Sequence, residues 1–214
     1  MSLQPDDLDL GDVLLKRSHG GFTHWFIRRV TANEGPASNY VHAAVYVGHG
    51  TIAESTSSGR GYVLTDLMNQ GVNFHYRVGR YTADPELAAI AAHIASTWAR
   101  MRVGDVPAYA GGRNFGGYGL AQALGAGFDN RLNRNIAARE GEGESFWGSD
   151  GQPGVSSSFC SQFAVQAYNA AGATCSPPVV PIPLAANRAT PAMLYNEFER
   201  LPGWTVLAEP VVTR

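Results

Sequence analysis

The chain has 214 residues, 44% of them hydrophobic and 16% charged, enough apolar material to bury a core and too much for a disordered polymer. A formal net charge of −2 gives no general pull towards nucleic acid or anionic lipid, and no nucleic-acid partner is expected. Cys160 and Cys175 are the only cysteines, which excludes a disulfide framework and any multi-cysteine zinc site and leaves at most one bridge.

The opening MSLQPDDLDLGD is acidic and has neither the basic nor the apolar segment of a signal peptide. No apolar run approaches the ~20 residues that a membrane-spanning helix needs. The expectation is a soluble protein without a transmembrane segment or recognisable export signal. It would be either cytoplasmic or secreted by a signal-independent route to act in a periplasm.

In chain order, Asp12 to Lys16 reads as a short strand and Phe22 to Thr31 as a short helix carrying Trp25, Phe26 and Ile27. Turn chemistry makes Asn33 to Ser38 a loop. Val41 to Val47 is a strand by alternation, and Thr51 to Ser55 is its hairpin partner across Gly48-His49-Gly50. Two further β-rich runs follow, Tyr62 to Leu67 and Val72 to Val78. Asp84-Pro85-Glu86 carries the signals of a helix start, and Leu87, Ile90, Ile94 and Trp98 form an apolar stripe behind it.

The stretch 104–154 is rich in glycine and polar residues and reads as an insertion or lid, with short helices around Leu120–Leu124 and Arg131–Arg139. Ser158 to Ala171 is a firm helix closed by Gly172. A Pro-rich connector leads to a helix capped by Thr190-Pro191, and Trp204 to Val212 adds a last strand. The pattern is one domain over 1–214 of the α+β class, with helices segregated around an antiparallel sheet.

Cys160 falls in the first turn of the Ser158 helix. Unsatisfied N–H groups and the helix dipole there favour a thiolate, and the same N–H groups suit an oxyanion. On the strand Val41–Val47, alternation sets His42, Ala44 and Tyr46 on one face. A three-residue hairpin loop with Gly50 left-handed would pair Ala44 with Glu54, which then shares the His42 face at roughly 7–8 Å across a diagonal. A carboxylate so placed accepts the imidazole N–H and fixes its tautomer. A two-residue turn would instead pair Glu54 with Val45 and send it to the opposite face.

His19 and His24 lack a third ligand for a metal, His49 is a turn residue, and His75 and His93 read as structural. No G-x-S-x-G elbow occurs, and the glycines around Gly111–Gly119 lack a P-loop lysine. These residues call for no metal site.

Three stretches, GDVLLKRSHGGFTHWFIRRVT, NYVHAAVYVGHGTIAEST and SFCSQFAVQAYNAAG, together resemble the circularly permuted NlpC/P60 papain-like group, most nearly its YaeF/YiiX-type branch. In that permuted order histidine precedes cysteine. The resemblance implies a papain-like fold, with an antiparallel, barrel-like sheet packed against a nucleophile-bearing helix. It also implies thiol chemistry without a metal or organic cofactor, with Cys160 as nucleophile, His42 as base and Glu54 as the residue that orients the imidazole. The activity implied is that of a cysteine hydrolase acting through an acyl-enzyme on a peptide- or lipid-type amide, such as a peptidoglycan stem peptide or a lipid- or amino-acid-linked amide.

Permuted relatives of the lecithin:retinol acyltransferase type use the same pair on ester-linked lipids as acyltransferases or phospholipases A. Their Asn-Cys-Glu-His-Phe motif differs from Phe159-Cys160-Ser161-Gln162-Phe163 here. A non-catalytic binding module with a vestigial triad is the third alternative, against which stand three chemically competent residues. In biology, the reading fits a bacterial antagonistic effector with an immunity protein as partner, and equally a housekeeping enzyme.

Overall fold

A computed structural model describes residues 2–18, 28–29, 31–56, 61–69, 74–100 and 160–213. The strands are β1 (Val13–Arg17), β2 (Tyr40–Gly48), β3 (Thr51–Thr56), β4 (Gly61–Asp66), β5 (His75–Tyr81), β6 (Trp204–Val206) and β7 (Val211–Val212). The helices are α1 (Pro85–Arg100), α2 (Cys160–Ala173) and α3 (Pro191–Arg200). Their mixture is the α+β class read from the sequence.

The strands form one seven-stranded sheet in the order β4-β3-β2-β1-β5-β6, with β7 also on β5. All strand pairs are antiparallel. Among the described residues the sheet is open, with β4 and β6 at its two ends, where the resemblance implies a barrel-like closure.

Alternation divides the strand residues between two apolar layers. Val13, Leu15, Ala43, Val45 and Ala53 face the helices and pack with Leu87, Phe163, Ala164, Tyr168 and Phe198. Leu14, Ala44, Tyr46, Ile52, Tyr76 and Val78 form the second layer with Leu8, Leu67 and Val211. Because both faces are covered, Val13, Leu14 and Leu15 are all wholly buried.

Both legible helix starts cap as their sequences require. The Leu87 N–H donates to Asp84 Oδ1 at 3.0 Å, and the Met193 N–H donates to Thr190 Oγ1 at 3.1 Å. The buried face of α1 is rotated from the predicted stripe: Ala88, Ala91, Ala92 and Ala95 are buried with Leu87 and Trp98, while Ile90 and Ile94 are half-buried. Small side chains let the helix come close to the start of β1, where a Cβ at Gly11 would stand 2.4 Å from the Ala88 carbonyl oxygen. Gly172 does not end α2, which runs to Ala173. Its missing side chain admits the Val179 carbonyl, which a Cβ would meet at 2.2 Å.

Other boundaries shift. The predicted loop Asn33–Ser38 lies within Ala32–Asn39, which form short 3-10 turns broken at Gly35, whose φ of 61° no continuous helix accepts. β5 runs from His75 and continues past Val78 to Tyr81, because β1 and β6 pair along its two edges, while the predicted start at Val72 lies outside the described residues. The predicted last strand is two short ones. Most of the Phe22–Thr31 helix and the whole 104–154 region lie outside the described residues.

Candidate active site

The β2–β3 hairpin carries His42 and Glu54, and its register decides whether they meet. Ala44 pairs with Glu54, the parity expected from the sequence, but the route to it differs. Gly48 pairs with Thr51, so the turn is the two residues His49-Gly50, with φ of 52° and 69°. Such a turn alone would put Glu54 opposite Val45 and on the wrong face. A bulge between Tyr46 and Gly48 absorbs one residue and restores the parity. Gly48, at φ 95°, supplies the backbone conformation at the bulge.

On that face His42 Nε2 lies 2.6 Å from Glu54 Oε2. Ala44, next to His42 on that face of β2 and directly opposite Glu54, is small and does not crowd them. The second oxygen of Glu54 accepts the Thr65 hydroxyl at 2.6 Å. With Nε2 committed to Glu54, Nδ1 is the nitrogen left for the Cys160 thiol, to which the imidazole is hydrogen-bonded. Cys160, His42 and Glu54, the predicted site residues, are thus brought together from α2, β2 and β3. Cys160 is 3% exposed and the His42 side chain 19%, so the histidine is the more open of the two.

The helix and the His42 side chain belong to different layers of the sheet, and a fork between two strands lets them meet. Tyr46 exchanges backbone hydrogen bonds with Gly11 and Asp12 on the β1 side. By alternation Ala44 and His42 also point their N–H groups towards β1, whereas Val45 and Ala43 point theirs towards β3. Pairing of β2 with β3 stops at Ala44 and Glu54, while β3 continues along β4 through Ser55 and Thr56. The N–H of Ala43 therefore opens into the fork, and the Cys160 sulfur accepts it there together with the N–H of Ser161.

The charges follow from these contacts. Burial works to raise the Cys160 thiol, but the His42 charge and hydrogen bond, with the Ala43 and Ser161 N–H groups, outweigh it and hold the thiol below its ordinary range. Burial likewise works against a charged His42, yet the Cys160 thiolate and the Glu54 carboxylate raise it to about 10. Burial of Glu54 is outweighed by His42, Thr65 and Lys16, which keep it below the usual carboxylate range. These shifts favour the thiolate–imidazolium pair over the neutral thiol and imidazole, with Glu54 as its carboxylate. Ser161 secures the first turn of α2 by donating to the Ala189 carbonyl at 2.7 Å.

Two contributors were not singled out from the sequence. Thr65 lies in a predicted strand, but its partner depends on the β3–β4 register. Lys16 pairs directly with His42 across β1 and β2, and no sequence signal specified that pairing. Cys160 and Cys175 are both free, so the one conceivable bridge is not formed. His49, His75 and His93 are exposed, and His19 and His24 lie outside the described residues. Among the described residues no three His, Cys, Asp or Glu side chains are grouped to hold a metal, and no helix is long and apolar enough to cross a membrane. Comparison of the chain with protein-family models, curated proteins and solved structures gave no match.

Proposed function

We propose that the protein is a cysteine hydrolase of the papain-like kind, cleaving an amide bond through Cys160, His42 and Glu54. What carries the reading is one imidazole bridging a thiol and a carboxylate, with the carboxylate bond at 2.6 Å. A structural histidine needs no thiolate partner, and a structural cysteine is usually a neutral, buried hydrophobe.

In the proposed cycle the Cys160 thiolate attacks the amide carbonyl, and the carbonyl π pair moves to oxygen. Backbone N–H groups at the start of α2 are suited to hold that oxyanion. As the tetrahedral intermediate collapses, the C–N bond breaks and His42 gives its proton to the departing amine. Neutral His42 then takes a proton from water, whose oxygen attacks the thioester. The C–S bond breaks, releasing the acid and regenerating the thiolate and imidazolium. Glu54 fixes the ring orientation and stabilises its charged form throughout.

The substrate class proposed is a peptide-type amide, of a peptidoglycan stem peptide or of a lipid- or amino-acid-linked compound. Incubation with purified sacculi and with phospholipid vesicles, read by mass spectrometry, tests it. New amine and carboxyl termini from sacculi, absent with Cys160→Ser, are expected. Release of fatty acid from the vesicles with sacculi untouched would replace amide cleavage by ester chemistry on lipids. Inertness of Cys160 towards thiol probes at neutral pH would end the hydrolase reading.

A further inference from the structure

Lys16 stands beside this site without a part in the cycle just described. It is the cross-strand partner of His42 on one side and of Tyr76 on the other, so its side chain rises from the face that carries the imidazole. Its Nζ lies 3.3 Å from the centre of the Phe74 ring and 5.9 Å from that of Tyr76. The ring faces hold the ammonium in place and take up part of its charge. Burial lowers the lysine, and the Glu54 charge opposes that effect.

Both Glu54 oxygens are already committed, to His42 and Thr65. No carboxylate among the described residues forms an ion pair with Lys16. A half-buried ammonium has three N–H donors, and a ring face satisfies none of them as an anion does. Glu54 brings a negative charge to this face, which repels an anionic substrate, and the Lys16 ammonium opposes it.

We infer that Lys16 determines specificity, receiving a substrate carboxylate next to the scissile amide from its seat against Phe74. The inference rests on the hydrolase reading and narrows it to acidic substrates. A single ammonium suits a monoanionic carboxylate; a phosphate dianion is normally met by several donors or a bidentate guanidinium.

The test compares alkylation of Cys160 by iodoacetate and by iodoacetamide, two probes of similar size that differ in a carboxylate. Rates are read at each cysteine by peptide mass spectrometry, with Cys175 as internal control. In Lys16→Met, whose straight chain keeps the packing on Phe74, the iodoacetate-to-iodoacetamide ratio at Cys160 should fall about five- to tenfold. Lys16→Arg should retain the ratio, and Lys16→Gln provides a second neutral variant if Lys16→Met folds poorly. Cys175 should keep its ratio in every variant.

An unchanged ratio at a reactive Cys160 overturns the inference. So does a parallel fall for both probes, which would make Lys16 a positioning residue acting through Glu54 and the thiolate. Absence of reaction with either probe in the wild type sinks the hydrolase reading itself, a result distinct from both.

Discussion

Asp12 and Glu54 are both almost wholly buried, at 1% and 6% exposure, and each has a nitrogen partner close by, Arg80 at 2.7 Å and His42 at 2.6 Å. Their acidities nevertheless move in opposite directions. For Asp12, burial outweighs Arg80 and the Asp9 N–H, and the carboxyl is raised. For Glu54, the hydrogen bonds from His42 and Thr65 and the Lys16 charge outweigh burial, and the carboxyl is lowered.

The Asp12 pair ties the entry of β1 to β5, and Arg80 also reaches Asp9 and the Asp7 carbonyl, an arrangement that holds chain segments together. The Glu54 pair leads instead to a thiol. Burial and a cationic partner are therefore common to a structural pair and to the proposed catalytic one. The difference lies in whether a titratable nucleophile completes the line.

That contrast can be broken most sharply at the sulfur. Cys160→Ser should abolish labelling at this position by a thiol probe while leaving the circular dichroism spectrum and melting temperature close to wild type. His42→Ala comes next. Without the imidazolium the thiol returns towards the ordinary value of ~8.5, so at pH 6.5 its labelling rate should fall by about 30- to 100-fold. A wild-type rate in that variant would show that another group ionises the cysteine.

Glu54→Gln should have a smaller effect, about fivefold at neutral pH, and a diagnostic pH signature. In the wild type the rise in labelling with pH lies on the acid side of an ordinary thiol, because Cys160 is held low. A second step is expected near 10, where His42 gives up its proton. Removing the carboxylate that supports the imidazolium should move that second step to lower pH. Thr65→Val should do the same to a lesser degree.

The smallest effect on the cysteine is expected from Arg80→Met. It leaves Asp12 buried without its guanidinium and should lower unfolding stability in urea by about 3 kcal/mol. Labelling of Cys160 in the folded protein should stay at the wild-type rate. The acid limbs sharpen the comparison further. Glu54, lowered on folding, contributes stability above its unfolded range that is lost as pH falls; Asp12, raised on folding, contributes below its unfolded range and loses it as pH rises.

Local signals carried well where the cause of structure is local. The Asp84 and Thr190 caps are found as read, because a cap needs only a side chain and an N–H a few residues on. The strands around His42 and Glu54 are likewise legible from alternation. The hairpin was legible in parity and wrong in mechanism: a two-residue turn plus a bulge does what a three-residue loop was expected to do, since both displace the ladder by one. The stripe of α1 missed its alanines because hydrophobicity ranks Ile above Ala, whereas close packing of helix on strand prefers the smaller side chain.

By itself the sequence determined the α+β pattern, the helix starts and the three residue types from which a thiol site is built. Tertiary structure alone decided that these residues meet. Contact between Cys160 and His42 depends on where β2 and β3 part, and the placing of Thr65 beside Glu54 and of Lys16 opposite His42 depends on the registers of three strand pairs. Strand register is a long-range quantity, in which one residue of slip reverses every side chain, so no stretch of the chain read alone contains it.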